Sequence, residues 1–299
     1  MKLILALSLF FLAPLSVMAA SCCGGGFAFP ALILGDDKGQ LTSSLSYGKV
    51  TDDVLTNQKW VHRDDENESS TFKIEGAMLL SDLWQTGIAV PVVSRKISNE
   101  ESTGLGDISL SLGHETFPEL SYSRWKPKGV TFLQITLPTS PSIYDASNTL
   151  AADSRGRGFF TLGGGVALIK VLGTWDANSS LEVHRSFARN FDSTSAGGPI
   201  TATPGWGHSW SIGAGFNKGD WRLGASFTGL YEDAIEISGA QTSNGSAQKN
   251  MTCAVVANYM MNLENAWTLS YADQTLFGSP QNTSLSKTLT VSFQTRWQR

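Results

Sequence analysis

Residues 285–297 place Leu285, Lys287, Leu289, Val291, Phe293, Thr295 and Trp297 on one parity, and Ser286, Thr288, Thr290, Ser292, Gln294 and Arg296 on the other. A period of two belongs to a strand with one oily and one wet face, not to a helix. A strand of about a dozen residues, tilted by roughly 45°, covers the height of a bilayer's hydrocarbon layer, and an aromatic near its end falls at interface depth. The same alternation sets Trp206, His208, Trp210, Ile212, Ala214 and Phe216 against glycine, serine and asparagine, and Trp175, Leu181 and Phe187 against Asp176, Glu182, His184 and Ser186. Reading the whole chain this way gives strands near 40–50, 70–80, 83–95, 104–116, 129–138, 158–170, 173–187, 206–217, 220–232, 249–261, 265–274 and 285–297. Twelve is an even number, as a closed bacterial barrel requires. Around 129–138 and 158–170 both parities carry apolar residues, so the inward face is ambiguous there.

Loop lengths provide an independent check, because outer-membrane barrels have short periplasmic turns and long outer loops. Short connections fall at Ser81-Asp82, 170–173, 217–220 and 262–265; long ones fall near 51–69, 96–103, 139–157, 188–205, 233–248 and 275–284. The exception is 117–128, a long connection on the short side. A soluble sandwich also has alternating strands, but its polar faces carry many Lys and Glu. Here they are mostly Gly, Ser, Thr and Asn, which suit a crowded, hydrated lumen. The fold expected is therefore all-β, a transmembrane antiparallel barrel over 40–299.

Met1 to Ala20 has one cation, Lys2, an apolar run from Leu3 to Val17, and small residues suited to cleavage, so 1–19 reads as a signal peptide. No later apolar run is long enough for a transmembrane helix. Residues 20–39, Gly-rich and then apolar from Phe27 to Leu34, read as a plug or as a periplasmic tail. Ala19-Ala20-Ser21-Cys22 also resembles a lipoprotein cleavage site, without the Leu expected at position 19. Three cysteines, two of them adjacent, make no disulfide framework. A net charge of -4 gives no electrostatic case for nucleic acid.

The stretch Trp84 to Arg95 (WQTGIAVPVVSR), then Thr103-Gly104-Leu105-Gly106-Asp107-Ile108, then Leu137-Pro138-Thr139, resembles the outer-membrane transporter family named for the MetA pathway of phenol degradation. The resemblance spans mainly 40–190 and departs at Ser140, where the family usually has Gly. It implies a channel for small hydrophobic or aromatic compounds. Read physically, Gly104 and Gly106 permit positive φ at a loop-to-strand junction, and Asp107 can accept backbone hydrogen bonds. Pro91 removes a ladder donor in mid-strand, which predicts a bulge or a lateral opening.

By strand parity the lumen receives Lys73, Glu75, Asp107, Asp176, Glu182, His184, Arg222 and Arg296, whose opposite signs would pair and set a field for solutes. Twelve strands lie between barrels filled by side chains and wide aqueous pores, so a narrow, selective lumen is expected. The function that follows is an outer-membrane channel for small, hydrophobic molecules; a structural or adhesive barrel is the alternative. His184-Arg185-Ser186 has the two-residue spacing of an outer-membrane phospholipase pair, but its parity turns both groups away from lipid, and the flanking residues of that motif are missing. An enzyme is not expected. The acidic loop from His62 to Glu68 lacks the glycine and spacing of a calcium loop, and no phosphate or dinucleotide motif appears, so neither metal nor cofactor is expected. Expected partners are outer-membrane lipid and lipopolysaccharide, a small solute, and the barrel assembly machinery. The signal for that machinery usually ends on an aromatic, whereas Gln298 and Arg299 follow Trp297 here.

Overall fold

A computed structural model describes residues 30–193, 198–240 and 242–298. The segment 1–19 expected as a signal peptide, and Cys22, lie outside the described residues. Twelve antiparallel strands close into a barrel: β1 (Asp37–Val54), β2 (Asn67–Leu79), β3 (Trp84–Ile97), β4 (Ile108–Phe117), β5 (Lys128–Leu137), β6 (Thr161–Leu172), β7 (Trp175–Ser186), β8 (Trp206–Lys218), β9 (Trp221–Glu232), β10 (Gln248–Met260), β11 (Asn265–Asp273) and β12 (Thr283–Gln298). Each pairs with its neighbour in sequence, and β1 closes on β12 from Asp37↔Gln298 to Val54↔Thr283. Closure leaves the wall without a free edge, the condition under which a sheet can stand in hydrocarbon.

Alternation sorts the two faces. Along β8 the outward Trp206, Ile212 and Phe216 are exposed, whereas the inward Ser209 and Ser211 are buried. At the short-turn end the aromatics form a cross-strand belt of tilted ring pairs: Trp175 packs on Phe216 with ring centroids 5.0 Å apart, Trp221 on Tyr259 at 4.8 Å and Trp267 on Phe293 at 5.0 Å. A second belt at the long-loop end includes Tyr47, Phe160, Phe187, Trp206 and Tyr271. From Trp206 to Phe216 the strand rises about 33 Å, which a tilt of roughly 40° reduces to about 25 Å, the height of the apolar band of outer-membrane barrels. In the short turns Gly173 and Gly219 adopt φ of 64° and 59° with open space around them. Conformation, rather than lack of room, requires glycine there.

The strand expected at 104–116 is divided. Glu100–Leu105 pairs with the upper half of β3 and β4 with its lower half, and Gly106-Asp107 bulges between them. The supposed loop at 96–103 is thus largely a tight hairpin. The outer loops at 188–205 and 233–248 also carry strands: Arg189–Ser193, Gly198–Thr203, Glu236–Gly239 and Ser243–Asn244 form a separate small sheet. Its apolar residues are hidden in a cluster of Phe159, Phe191, Ile200 and Ala202, packed by Tyr144, Ile235 and Ile237. Leu285, expected on the lipid face, is 0% exposed, because β1 shifts register between Val50 and Asp52 where it faces this end of β12.

An exposed leucine on a soluble sheet tolerates arginine, but one at bilayer mid-depth does not. Leu269→Arg is expected to destabilise the barrel by about 2–4 kcal/mol in urea unfolding from lipid vesicles, and an effect near zero would contradict lipid exposure.

Candidate functional site

The lumen is not empty at its periplasmic half. Ala31, Leu32, Ile33 and Leu34 are buried inside the barrel. Leu32 and Leu34 pack against Val130, Phe132, Ala167 and Ile169 of β5 and β6, and Ala31 and Ile33 against Ala77 and Leu79 of β2. This resolves the ambiguous parity of those two strands: their inner face is apolar because an apolar segment covers it.

Polar side chains of the wall satisfy the backbone of the entering segment, as burial demands. Gln85 receives a hydrogen bond from Ile33 N at 2.5 Å and returns one to Ile33 O at 3.0 Å. Gln40 Nε2 donates to Leu32 O at 2.9 Å and Ser111 Oγ to Ala31 O at 3.1 Å. Lys128 Nζ donates to Gly35 O at 3.0 Å and pairs with Asp36 at 3.0 Å and Glu115 at 3.7 Å. Glycine makes the approach possible, since a Cβ on Gly87 would lie 2.2 Å from Ala31 O. Local sequence pattern does not distinguish these anchors. Gln85, Gln40 and Ser111 are uncharged polar residues on inward parity, a weak signal among so many lumenal polar groups.

The lumenal charges expected from parity fall into separate groups. Near the periplasmic end Arg222 grips Asp176 with two hydrogen bonds, at 2.7 and 2.6 Å, and Asn217 donates to the same carboxylate at 2.8 Å. Arg296 pairs with Asp37 at 3.8 Å and donates to Leu263 O at 3.4 Å. Lys73 and Glu75 pair with each other at 3.0 Å. Toward the outer end, His184 lies 3.4 Å from Glu182 and 2.9 Å from Glu232, and Arg157 reaches Glu232 at 2.6 Å from the loop after β5. Glu182 and Arg222 therefore belong to different ends of the lumen. Ser186 shares a hydrogen bond with Thr161 at 2.8 Å, while the His184 imidazole is held by the two glutamates.

Pro91, Asp107 and the Leu-Pro-Thr strand end meet in one node. The carbonyl of Pro91 accepts from Gly106 N at 2.8 Å. In an antiparallel ladder N–H and C=O of a residue point the same way, so the donor that proline lacks would have aimed at Gly106 O. Thr139 Oγ1 takes that carbonyl instead, at 2.7 Å, and receives Ile108 N at 3.1 Å. Asp107 accepts from Ser140 N at 3.2 Å, Ser140 Oγ at 2.7 Å and Arg157 N at 2.8 Å. Ser140, where the resembled family has glycine, needs no positive φ and contributes its hydroxyl to this node. In the same outer loop, burial pushes the Asp153 carboxyl up, but hydrogen bonds from Ser147 and Asn148 outweigh it and hold its pKa below the ordinary value.

In the acidic outer segment, carboxylates are paired locally, Asp52 with His62 at 3.0 Å, Asp53 with Arg63 at 2.5 Å and Glu66 with Lys96 at 2.7 Å. Among the described residues no group of three or more metal-binding side chains converges.

A closed twelve-stranded barrel with an apolar outer band between two aromatic belts defines a protein of the Gram-negative outer membrane. No protein-family model matches the chain, and no curated protein matches it. Among solved structures it is similar to an outer-membrane channel from Pseudomonas putida F1, with 13% identity and a TM-score of 0.71, over 92% of this chain and 100% of that one. That likeness establishes the shared fold. The NanC porin (9% identity, TM-score 0.47, 85% of this chain and 98% of that one) and the toluene transporter TodX of Pseudomonas putida (11%, 0.43, 88% and 89%) are more distant.

Two variants test this geometry. Gly87→Ala, which drives a methyl into Ala31 O, and Gln85→Ala, which removes about 2 kcal/mol of anchoring, are each expected to make a cysteine at position 32 reactive to a water-soluble maleimide. Asp107→Ala strips an acceptor from several loop donors and is expected to loosen the loop between β5 and β6 by about 2 kcal/mol, read as faster proteolysis within 139–160 while the barrel stays folded.

Proposed function

We propose that this protein is an outer-membrane channel for small apolar molecules, with residues 30–36 as its plug. The observation that carries the reading is the apolar inner face of β2, β5 and β6, covered by a segment that precedes the first strand. A lumen serving only hydrophilic solutes has no use for such a surface. Displacing the segment would uncover Val130, Phe132, Ala167 and Ile169 to a solute of matching polarity, while the serine-lined remainder admits water and ions. The segment is tethered at Asp37, so it can leave the lumen without leaving the protein.

In this reading solute leaves laterally at the Gly106-Asp107 bulge opposite Pro91, where the ladder between β3 and its neighbour is interrupted and held by side chains. The charge groups at the two ends constrain which solutes pass, Asp176–Arg222 at the periplasmic mouth and Glu182–His184–Glu232 toward the outside.

Single-channel recording in planar bilayers, together with uptake of an aromatic hydrocarbon by a deletion strain, tests the proposal. Removal of residues 20–34 is expected to raise conductance, and the intact protein to restore uptake; no conductance change and no uptake would sink it. Pro91→Val restores a ladder donor opposite the Gly106-Asp107 bulge and is expected to slow aromatic uptake while leaving ion conductance unchanged.

A further inference from the structure

The connection between β4 and β5, residues 118–127, is long where such barrels have short turns, and nothing in the proposed channel uses it. It exposes large apolar side chains to a degree unusual even here: Leu120 is 93% exposed, Trp125 87% and Tyr122 71%. Patches of this kind mark contact surfaces.

Its position identifies what it contacts. Lys170 lies on the outward parity of β6, with Leu162 and Leu172, opposite the buried Ala167 and Ile169. Glu119 forms an ion pair with that outward lysine, and the Tyr122 ring lies beneath the ammonium, 4.8 Å from nitrogen to centroid. The connection therefore reaches over the rim to its lipid-facing side, while Pro118, Glu119, Leu120 and Tyr122 also border a cleft with Asp36 and Lys128 at the pore mouth. It continues the periplasmic aromatic belt from Phe117, at the end of β4, toward Trp175 on β7. Arg124 and Lys126 flank Trp125, both are exposed, and neither has an ion-pair partner among the described residues. Aromatic side chains beside cations suit the glycerol and phosphate zone of a bilayer, where rings sit at headgroup level and cations meet phosphates.

We propose that residues 118–127 dock on the phospholipids of the periplasmic leaflet. Leu120, Tyr122 and Trp125 enter the headgroup boundary, and Arg124 and Lys126 engage lipid phosphates. A periplasmic protein is the competing occupant; the tie to Lys170 on the lipid-facing wall favours lipid.

The test attaches an environment-sensitive fluorophore at Ser121→Cys in the full barrel, with Cys22, Cys23 and Cys253 changed to serine. The protein is folded into vesicles of phosphatidylethanolamine and phosphatidylglycerol. The expected result is loss of most emission to a nitroxide carried near the lipid headgroup and little loss to aqueous iodide. Replacing Leu120, Tyr122 and Trp125 together by serine is expected to reverse that preference, with heat-modifiable gel migration confirming a folded barrel. Iodide quenching without lipid quenching in the starting protein would overturn the proposal. So would lipid quenching that persists in the triple variant, or protection seen in native outer membranes but absent from pure lipid vesicles, which would assign the surface to a protein.

Discussion

Pairing of β1 with β12 is the interaction on which the rest depends. A bilayer offers no water to an unpaired peptide group, so an open sheet of these strands would expose a row of unsatisfied donors and acceptors to hydrocarbon. Closure removes that cost and fixes which side chains face which way, because a slip of one residue would exchange the two faces. The register from Gly39↔Trp297 to Tyr47↔Leu289 keeps aromatic and aliphatic groups outside and serine, threonine and glutamine inside. That register places Phe293 in one aromatic belt and Tyr47 in the other.

Closure also creates an interior that must be occupied. Much of it is filled by small polar groups and ion pairs, of which Asp176–Arg222 is the most thoroughly hydrogen-bonded. Over β2, β5 and β6 the inner face is instead apolar and is covered by Ala31 to Leu34. The hydrophobic contacts hold the segment in place without specifying its register. Specification comes from Gln85, Gln40 and Ser111, which satisfy three successive peptide carbonyls, at Ile33, Leu32 and Ala31. The segment is thus held by two apolar clusters and by several polar anchors together.

The strands were legible because their physics is local. Parity and length suffice to place Trp206 to Phe216 in a wall, and all twelve strands fall close to where alternation puts them. What sequence could not supply was anything set by a partner distant along the chain. The two-faced apolarity of 129–138 and 158–170 has its cause in Leu32 and Leu34, which pack against Val130 and Ala167. The outer sheet is not legible in the sequence because its short strands, such as Gly198–Thr203, gain their apolar burial from Phe159 and Phe191 in other segments. Among the charges that parity assigns to the lumen, Asp176, Arg222, Glu182 and His184 meet Asn217, Glu232 and Arg157, which come from other strands and a loop. Alternation marks Pro91 as a ladder break, but the extra residue lies opposite it, at Gly106-Asp107, and the convergence of Pro91 and Asp107 with Thr139 and Ser140 is a property of the folded wall.

Occupation of the lumen by the segment ahead of β1 is the claim most directly open to measurement. Cysteines at Leu32 and Ala167, in a chain whose other cysteines are serine, can be treated with a short bifunctional maleimide in intact outer membranes and mapped by mass spectrometry of the peptides. A cross-link between the two positions is the result this account predicts. Failure to cross-link, with free labelling of position 32 by a bulky water-soluble maleimide, would contradict it.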